Sequence, residues 1–215
     1  VPQIWWSYVP FHHADTFEGE QPSTIQDFFD IEKFPGKRGI HTWASAITEM
    51  ALYADGVAIP DIYDVLSTQE GQDRAFAKLD TIKDHVVFWS SGAKPLDLIN
   101  SGEVSMSLAY NGRIGGAVLN DGADYVTVWD GQVLEEEWLV LMNGAPNRAA
   151  ALHFLVHASS TQAQADQAKW INYGPMRPSA LPIMEAGEPW FNTGVNIMEH
   201  MPNTPEHMKG GILAN

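Results

Sequence analysis

Between Ser107 and Leu141 (SLAYNGRIGGAVLNDGADYVTVWDGQVLEEEWLVL) three apolar runs follow one another, separated by Gly, Asn and Asp. The first ends at Tyr110-Asn111-Gly112, the second covers Tyr125–Trp129, and the third is the acidic-aromatic run Leu134–Leu141. Short apolar runs bounded by turn residues read as strands, and the piece after Asn111 reads as a short helix. This packs aromatic rings and carboxylates near strand ends, where open α/β sheets hold their ligands. The stretch is therefore expected to form one wall of a cleft for a small cationic solute.

The rest of the chain supplies more of the same alternation. Ile4–Val9 reads as a buried strand bounded by Pro2 and Pro10, followed by a polar loop from His12 to Pro22. Ser23-Thr-Ile-Gln26 has the form of a capping box that starts a helix through Phe28 and Phe29. Pro35–Gly39 is a turn into a strand near Ile40. Helical spacing of Ala44, Ile47, Ala51 and Ala54 predicts a helix over Trp43–Ala54, with Gly56 closing it. Gln69–Lys83 places Ala75, Phe76, Leu79 and Ile82 on one helical face. Val86–Trp89 and Val104–Tyr110 read as strands around a short helix at Pro95–Asn100, and Asn147–Ala158 and Thr161–Ile171 read as helices. Beyond Tyr173 the chain reads as loops with short helical turns. Strands alternating with helices give an α/β fold with a largely parallel sheet.

Composition narrows the function. The chain of 215 residues has 27 acidic against 12 basic residues, a net charge of −15, which disfavours nucleic acid or an anionic membrane as partner. There is no cysteine, so disulfides, cysteine-ligated zinc and thiol chemistry are excluded. The eight tryptophans suit aromatic walls in a site, with about half or more of them serving ordinary core packing. No run approaches the ~18 apolar residues of a membrane span.

Each candidate for chemistry has a bland reading beside it. His153 and His157 stand i, i+4, but Phe-Leu-Val between them lacks the glutamate of a zinc hydrolase. His12-His13 reads as a pair of exposed loop histidines, and Lys37-Arg38 as a solvated turn. Gly112–Gly116 lacks a phosphate loop's Lys-Ser/Thr and reads as a tight turn. Three carboxylates at Glu135, Glu136 and Glu137 offer no partition into acid and base for a hydrolase. In a strand Glu135 and Glu137 share one face, and beside Trp138 and Tyr110 that face can hold an ammonium group by charged hydrogen bonds and cation–π contact. An exposed acidic edge is the alternative.

The blocks Ile25–Ile40 (IQDFFDIEKFPGKRGI), Glu49–Tyr53, Phe76–Ile82, Ser105–Arg113 (SMSLAYNGR), Val126–Gly131 and Trp138–Leu152 (WLVLMNGAPNRAAAL) resemble the extracellular solute-binding proteins of ABC importers, on the spermidine/putrescine-binding side. The resemblance runs from Pro2 to about Lys209. It implies a two-lobed type II periplasmic-binding-protein fold, here the second lobe plus part of the first, with further chain expected on either side. On that mapping residues 1–9 are a hinge strand and remnant of lobe 1, 10–127 are lobe 2, and 128–215 are the return hinge and part of lobe 1.

The resemblance also implies site residues. Tyr110 is the aromatic that stacks on the ligand, Glu137 or Glu135 the amine anchor, Tyr173 an aromatic before a Pro-containing loop, and Ser90 or Ser91 a hydrogen-bonding serine. Trp43 and Ala46 stand where polyamine binders carry an acidic pair, and a C-terminal polar contact falls near Ala214. Trp43 and Trp89 would complete the aromatic walls. The implied function is delivery of a small amine solute to an ABC permease in the inner membrane. The protein is expected to be periplasmic, monomeric when complete, without cofactor, metal or catalysis. A same-fold binder of a quaternary amine, amino acid or metal is the alternative, with a carboxylate-dependent hydrolase behind it.

Overall fold

The structure, a computed structural model, describes residues 1–184 and 212–213. It divides into two compact units, Val1–Trp6 with residues 135–184, and Ser7–Leu134 with residues 212–213. The chain passes from one to the other inside two strands, β1 (Pro2–His13) and β6 (Val133–Trp138). No helix among the described residues is long and apolar enough to cross a membrane.

The elements of the Ser7–Leu134 unit follow the predicted alternation. They are α1 (Ile25–Phe29), β2 (Arg38–His41), α2 (Ile47–Ala54), α3 (Ile62–Leu66), α4 (Gln69–Asp80), β3 (Val86–Trp89), α5 (Lys94–Asn100), β4 (Met106–Tyr110), α6 (Asn111–Asp121) and β5 (Tyr125–Thr127). Strand β2 lies between β3 and β4 and runs parallel to both, with His41 opposite Trp89. Strand β1 is antiparallel to β4, with Tyr8 opposite Tyr110, and antiparallel to β5. The sheet is thus mixed rather than largely parallel. Alternating elements specify direction only for strands joined by helical crossovers, and β1 enters from the other unit without one. Val9, Phe11, Ile25, Phe28, Met50, Met106, Leu108 and Ile114 form a sealed core around this sheet. Burying such a side chain is worth roughly 1.5–3 kcal/mol.

Several local expectations change. Strand β1 does not stop at Pro10: that residue pairs with Leu108, and its carbonyl accepts from Val128 N–H at 2.9 Å, so the missing proline N–H costs little. The strand continues through His12 and His13, so these are not exposed loop histidines; His12 is sealed in the core. The capping box is Thr24 with Asp27, one residue later than Ser23 with Gln26. Helix α2 starts at Ile47 rather than Trp43, leaving Trp43 to Ala46 as a connecting loop. On α4, Ala75 is buried, as is Ile82 just past its end, but Phe76 is exposed. Among the described tryptophans only Trp89 is buried, so core packing takes fewer of them than expected.

Arg38 departs furthest from its expected solvated turn. Its guanidinium is fully buried and donates to four backbone carbonyls: Phe28 at 2.7 Å, Gly36 at 3.0 Å, Asp30 at 3.3 Å and Phe34 at 2.6 Å. The turn after α1 closes around this side chain, which supplies donors to carbonyls of the turn; that of Asp30 also accepts from Phe34 N–H at 3.0 Å. Burial lowers its pKa to about 10, partly offset by the Asp30 carboxylate, so it remains charged at neutral pH.

In the other unit the first half of β1 pairs antiparallel with β7 (Gly174–Pro175). Helices α7 (Arg148–Ala158) and α8 (Thr161–Gln167) pack beside them, Gln3 Nε2 donating to Gln167 Oε1 at 2.6 Å and Gln164 Nε2 to the Pro2 carbonyl at 3.0 Å. On α7 only Ala158 is buried, while Leu152, Phe154 and Val156 are exposed. His153 and His157 are exposed on the same helix. The short β8 (Ile212–Leu213), which belongs to the Ser7–Leu134 unit, runs parallel to β6 at Val133 and Leu134.

Candidate functional site

The parallel strands β2, β3 and β4 end at His41, Trp89 and Tyr110, so these three rings line up at the carboxyl edge of the sheet, where ligands of α/β folds bind. His41 and Trp89 meet edge-on with centroids 4.5 Å apart, and Trp89 meets Tyr110 edge-on at 6.1 Å. Tyr8 on β1 closes the row: its ring lies 4.8 Å from Tyr110, and the two hydroxyls are 3.0 Å apart. Trp43, 64% exposed, packs edge-on against His41 at 4.5 Å.

Two loops and a helix start hold this edge. Tyr110 leads into α6 without a loop, and buried Asn111 ties the junction down by accepting from Ser7 N–H at 3.0 Å. After β3, Gly92 lies so close to Tyr110 that an added Cβ would sit 2.8 Å from its ring and 3.9 Å from Arg113 Nε. Only a glycine lets that loop approach the Tyr110 ring so closely. Arg113, in the first turn of α6, is exposed and has no hydrogen bond or ion pair among the described residues.

The hydrogen bonds of the ring cluster leave donors unspent. Trp43 N–H donates to His41 Nδ1 at 2.9 Å, so the neutral imidazole carries its proton on Nε2. His41 is 5% exposed, and burial holds its pKa below the usual histidine range. Trp89 is 2% exposed and its indole N–H is sealed without a partner among the described residues. Two cavities open beside these strand ends. One of about 420 Å³ is lined by Thr42, Phe88, Trp89, Ser90, Ser91 and the helix α5 start. The other, about 290 Å³ and largely apolar, runs from His41 and Trp43 to Phe76 on α4 and Phe88 on β3.

Of the residues expected in the site, Tyr110, Trp89, Trp43, Ser90 and Ser91 all fall at this edge. Glu135, Glu137 and Tyr173 belong to the other unit. There Glu137 is exposed, Glu135 half-buried and Tyr173 half-buried. Trp138 sides with Glu136, its indole N–H donating to that carboxylate at 2.9 Å, rather than with the Glu135–Glu137 face. The alternation of a strand requires this, since positions two apart share a face. Ala214 lies outside the described residues.

Sequence reading missed His41, Tyr8 and Arg113. Arg113 stands inside the quoted YNGR stretch and His41 one residue past the end of the Ile25–Ile40 block, and the usable signal was a polar residue at the last position of a strand or the first turn after it. Tyr8 carried no such signal within its apolar run.

Comparison with known proteins points the same way. Residues 1–198 match the family model described as bacterial extracellular solute-binding protein. The gamma-aminobutyric acid-binding protein of Pseudomonas aeruginosa is 37% identical over 205 residues, covering 95% of this chain and 55% of that protein. An ABC transporter substrate-binding protein from Bradyrhizobium japonicum USDA 110 superposes with a TM-score of 0.84 at 34% identity, over 100% of this chain and 63% of the other. The periplasmic binding protein MotA of A. tumefaciens B6, solved with glucopine, gives 0.86 at 30% identity, over 100% and 64%. The chain spans a little over half the length of the curated relative it matches.

Proposed function

Because the chain belongs to the bacterial extracellular solute-binding proteins, we propose that it is the ligand-holding part of an ABC importer's binding protein, and that its solute carries both an amine and a carboxylate. The observation that supports the carboxylate is Arg113. It stands unpaired among the described residues, beside Tyr110 and at the amino-terminal turn of α6. In a chain with 27 acidic and 12 basic residues, a guanidinium with no carboxylate partner among the described residues at the strand-end edge is available to an anionic group. The α6 amides point their dipole the same way.

The amine end is assigned to Glu135 and Glu137, with Tyr110 stacking on the aliphatic part and Ser90, Ser91, Trp43 and Tyr173 completing the contacts. Closure of two lobes over the solute, handover to a permease in the inner membrane, and a periplasmic location belong to the same proposal and rest on the family. The Pseudomonas relative's name makes gamma-aminobutyric acid the first probe. A purely cationic, polyamine-like ligand is the second reading, favoured by the exposed Glu136 and Glu137 on β6.

Calorimetry on the full-length protein separates the two. Gamma-aminobutyric acid is expected to bind at micromolar strength or tighter, putrescine and spermidine far more weakly, and Arg113→Gln to weaken the acid by about a hundredfold, as for a lost charged pair. Tight putrescine binding, unaffected by Arg113→Gln, would instead establish the polyamine reading. Unchanged affinity in both Glu135→Ala and Glu137→Ala would remove the amine anchor.

A further inference from the structure

We propose that His41 and Trp89 are specificity-determining residues that present a pair of N–H donors to an oxygen of the bound solute, with the Trp43 backbone fixing the orientation of the first. The proposal rests on the reading of the strand-end edge as the carboxylate seat. It adds His41 to the mapped site and gives Trp89, mapped there as an aromatic wall, a donor's role.

Three observations carry it. First, the imidazole of His41 is held on one side only. Trp43 N–H occupies Nδ1 at 2.9 Å, which leaves Nε2 as the protonated nitrogen, and Nε2 has no partner among the described residues. Unlike His12 Nε2, it is not sealed from solvent. Second, the Trp89 indole N–H is sealed and unpartnered. A buried donor without an acceptor is uncommon in folded proteins, and a ligand oxygen or bound water is the usual explanation. Third, the two groups belong to one cluster: the rings meet at 4.5 Å and 87°, on paired strand ends at the same register.

The cluster is rigid because aromatic faces enclose it. Tyr8, Trp43 and Trp89 pack around His41 edge-on. Burial alone accounts for the lowered pKa of His41, with no charged neighbour contributing. The titratable groups facing the cluster are the Tyr8 and Tyr110 hydroxyls, which face each other, Asp80 and Lys83 in the cavity that His41 lines, and Lys94 with Asp97 in the cavity beside Trp89. A neutral donor pair suits an oxygen whose charge is carried elsewhere. Arg113 takes one carboxylate oxygen by charge, and His41 with Trp89 takes the other by geometry. A solute lacking that oxygen, such as a simple alkylamine, leaves both donors empty, and rejection by unpaired buried donors is strong.

The test uses the full-length protein with gamma-aminobutyric acid and butylamine as probes. His41→Asn keeps an acceptor for Trp43 N–H and removes the ε donor; Trp89→Phe keeps the ring and removes the N–H. Each is expected to weaken gamma-aminobutyric acid about tenfold without weakening butylamine, so that the ratio between them falls. In the wild type the Trp89 indole proton resonance is expected to move downfield on adding the acid, a readout that needs no variant to fold. An indole resonance that stays in place, or two variants with wild-type affinity while Arg113→Gln loses binding, overturns this proposal and leaves the carboxylate seat standing. Wild-type protein that binds no gamma-aminobutyric acid overturns both.

Discussion

Arg38 shows how much one side chain can organise. Four carbonyls of the Phe28–Gly36 segment converge on its guanidinium, and of these only Asp30 has a second donor among the backbone bonds of that turn, Phe34 N–H at 3.0 Å. Arg38→Met fills the volume but takes away the donor that reaches the Phe28, Gly36 and Phe34 carbonyls. A loss of about 3–5 kcal/mol is expected, at the scale of removing one partner from a buried charged network. Urea unfolding measures it, and a loss under about 1 kcal/mol would show that the turn is held by something else. Nothing in the basic dipeptide Lys37-Arg38 distinguishes the buried member from the exposed one. That distinction arises only when the chain from Phe28 to Gly36 folds back on it.

At the scale of elements, the loop from β2 to α2 is the informative one. Helical spacing runs back to Ala44, yet the helix begins at Ile47 because Ala46 adopts φ 69°, a conformation that L residues rarely occupy. The kink is what carries Trp43 onto His41 instead of burying it on a helix. A non-glycine residue held there costs about 1–3 kcal/mol. Ala46→Gly is therefore expected to raise stability by about 1 kcal/mol, after allowing for the freer unfolded chain. It is also expected to loosen the Trp43 loop. A decrease in the urea midpoint would mean that the backbone there is not strained. The two strands β2 and β3 were readable by composition; the bend between strand and helix was not, because periodicity counts side chains and is blind to a single φ angle.

For the whole molecule, acid is the relevant stress. His12 and His41 are buried and neutral, and burial lowers both pKa values; for His12 the bond from Nδ1–H to the His13 carbonyl offsets part of the effect. The unfolded chain binds these protons more readily, so stability is complete above a pH of about 6.5 and falls as pH drops below it towards the folded values. The urea midpoint is expected to fall between pH 7.5 and 5.5, and His12→Asn, which keeps a donor for the His13 carbonyl, to flatten that fall. A midpoint independent of pH over this window would contradict the assignment. The unit containing α7 is a separate matter: Leu152, Phe154, Val156 and Trp170 leave it with a broad apolar surface, the kind that natural domains cover.

The alternation of strands and helices, the acidity that disfavours nucleic acid and the family blocks were legible in the sequence, as was the choice of Tyr110, Trp89 and Trp43 as aromatic candidates, because spacing and residue type are local properties. Tertiary structure decided which polar groups matter. His41 and Arg113 gained meaning only when parallel pairing brought three strand ends together and left their donors without acceptors. His12 and Arg38 moved the other way, from expected surface to sealed interior, because burial depends on what folds across a residue and not on the residue itself.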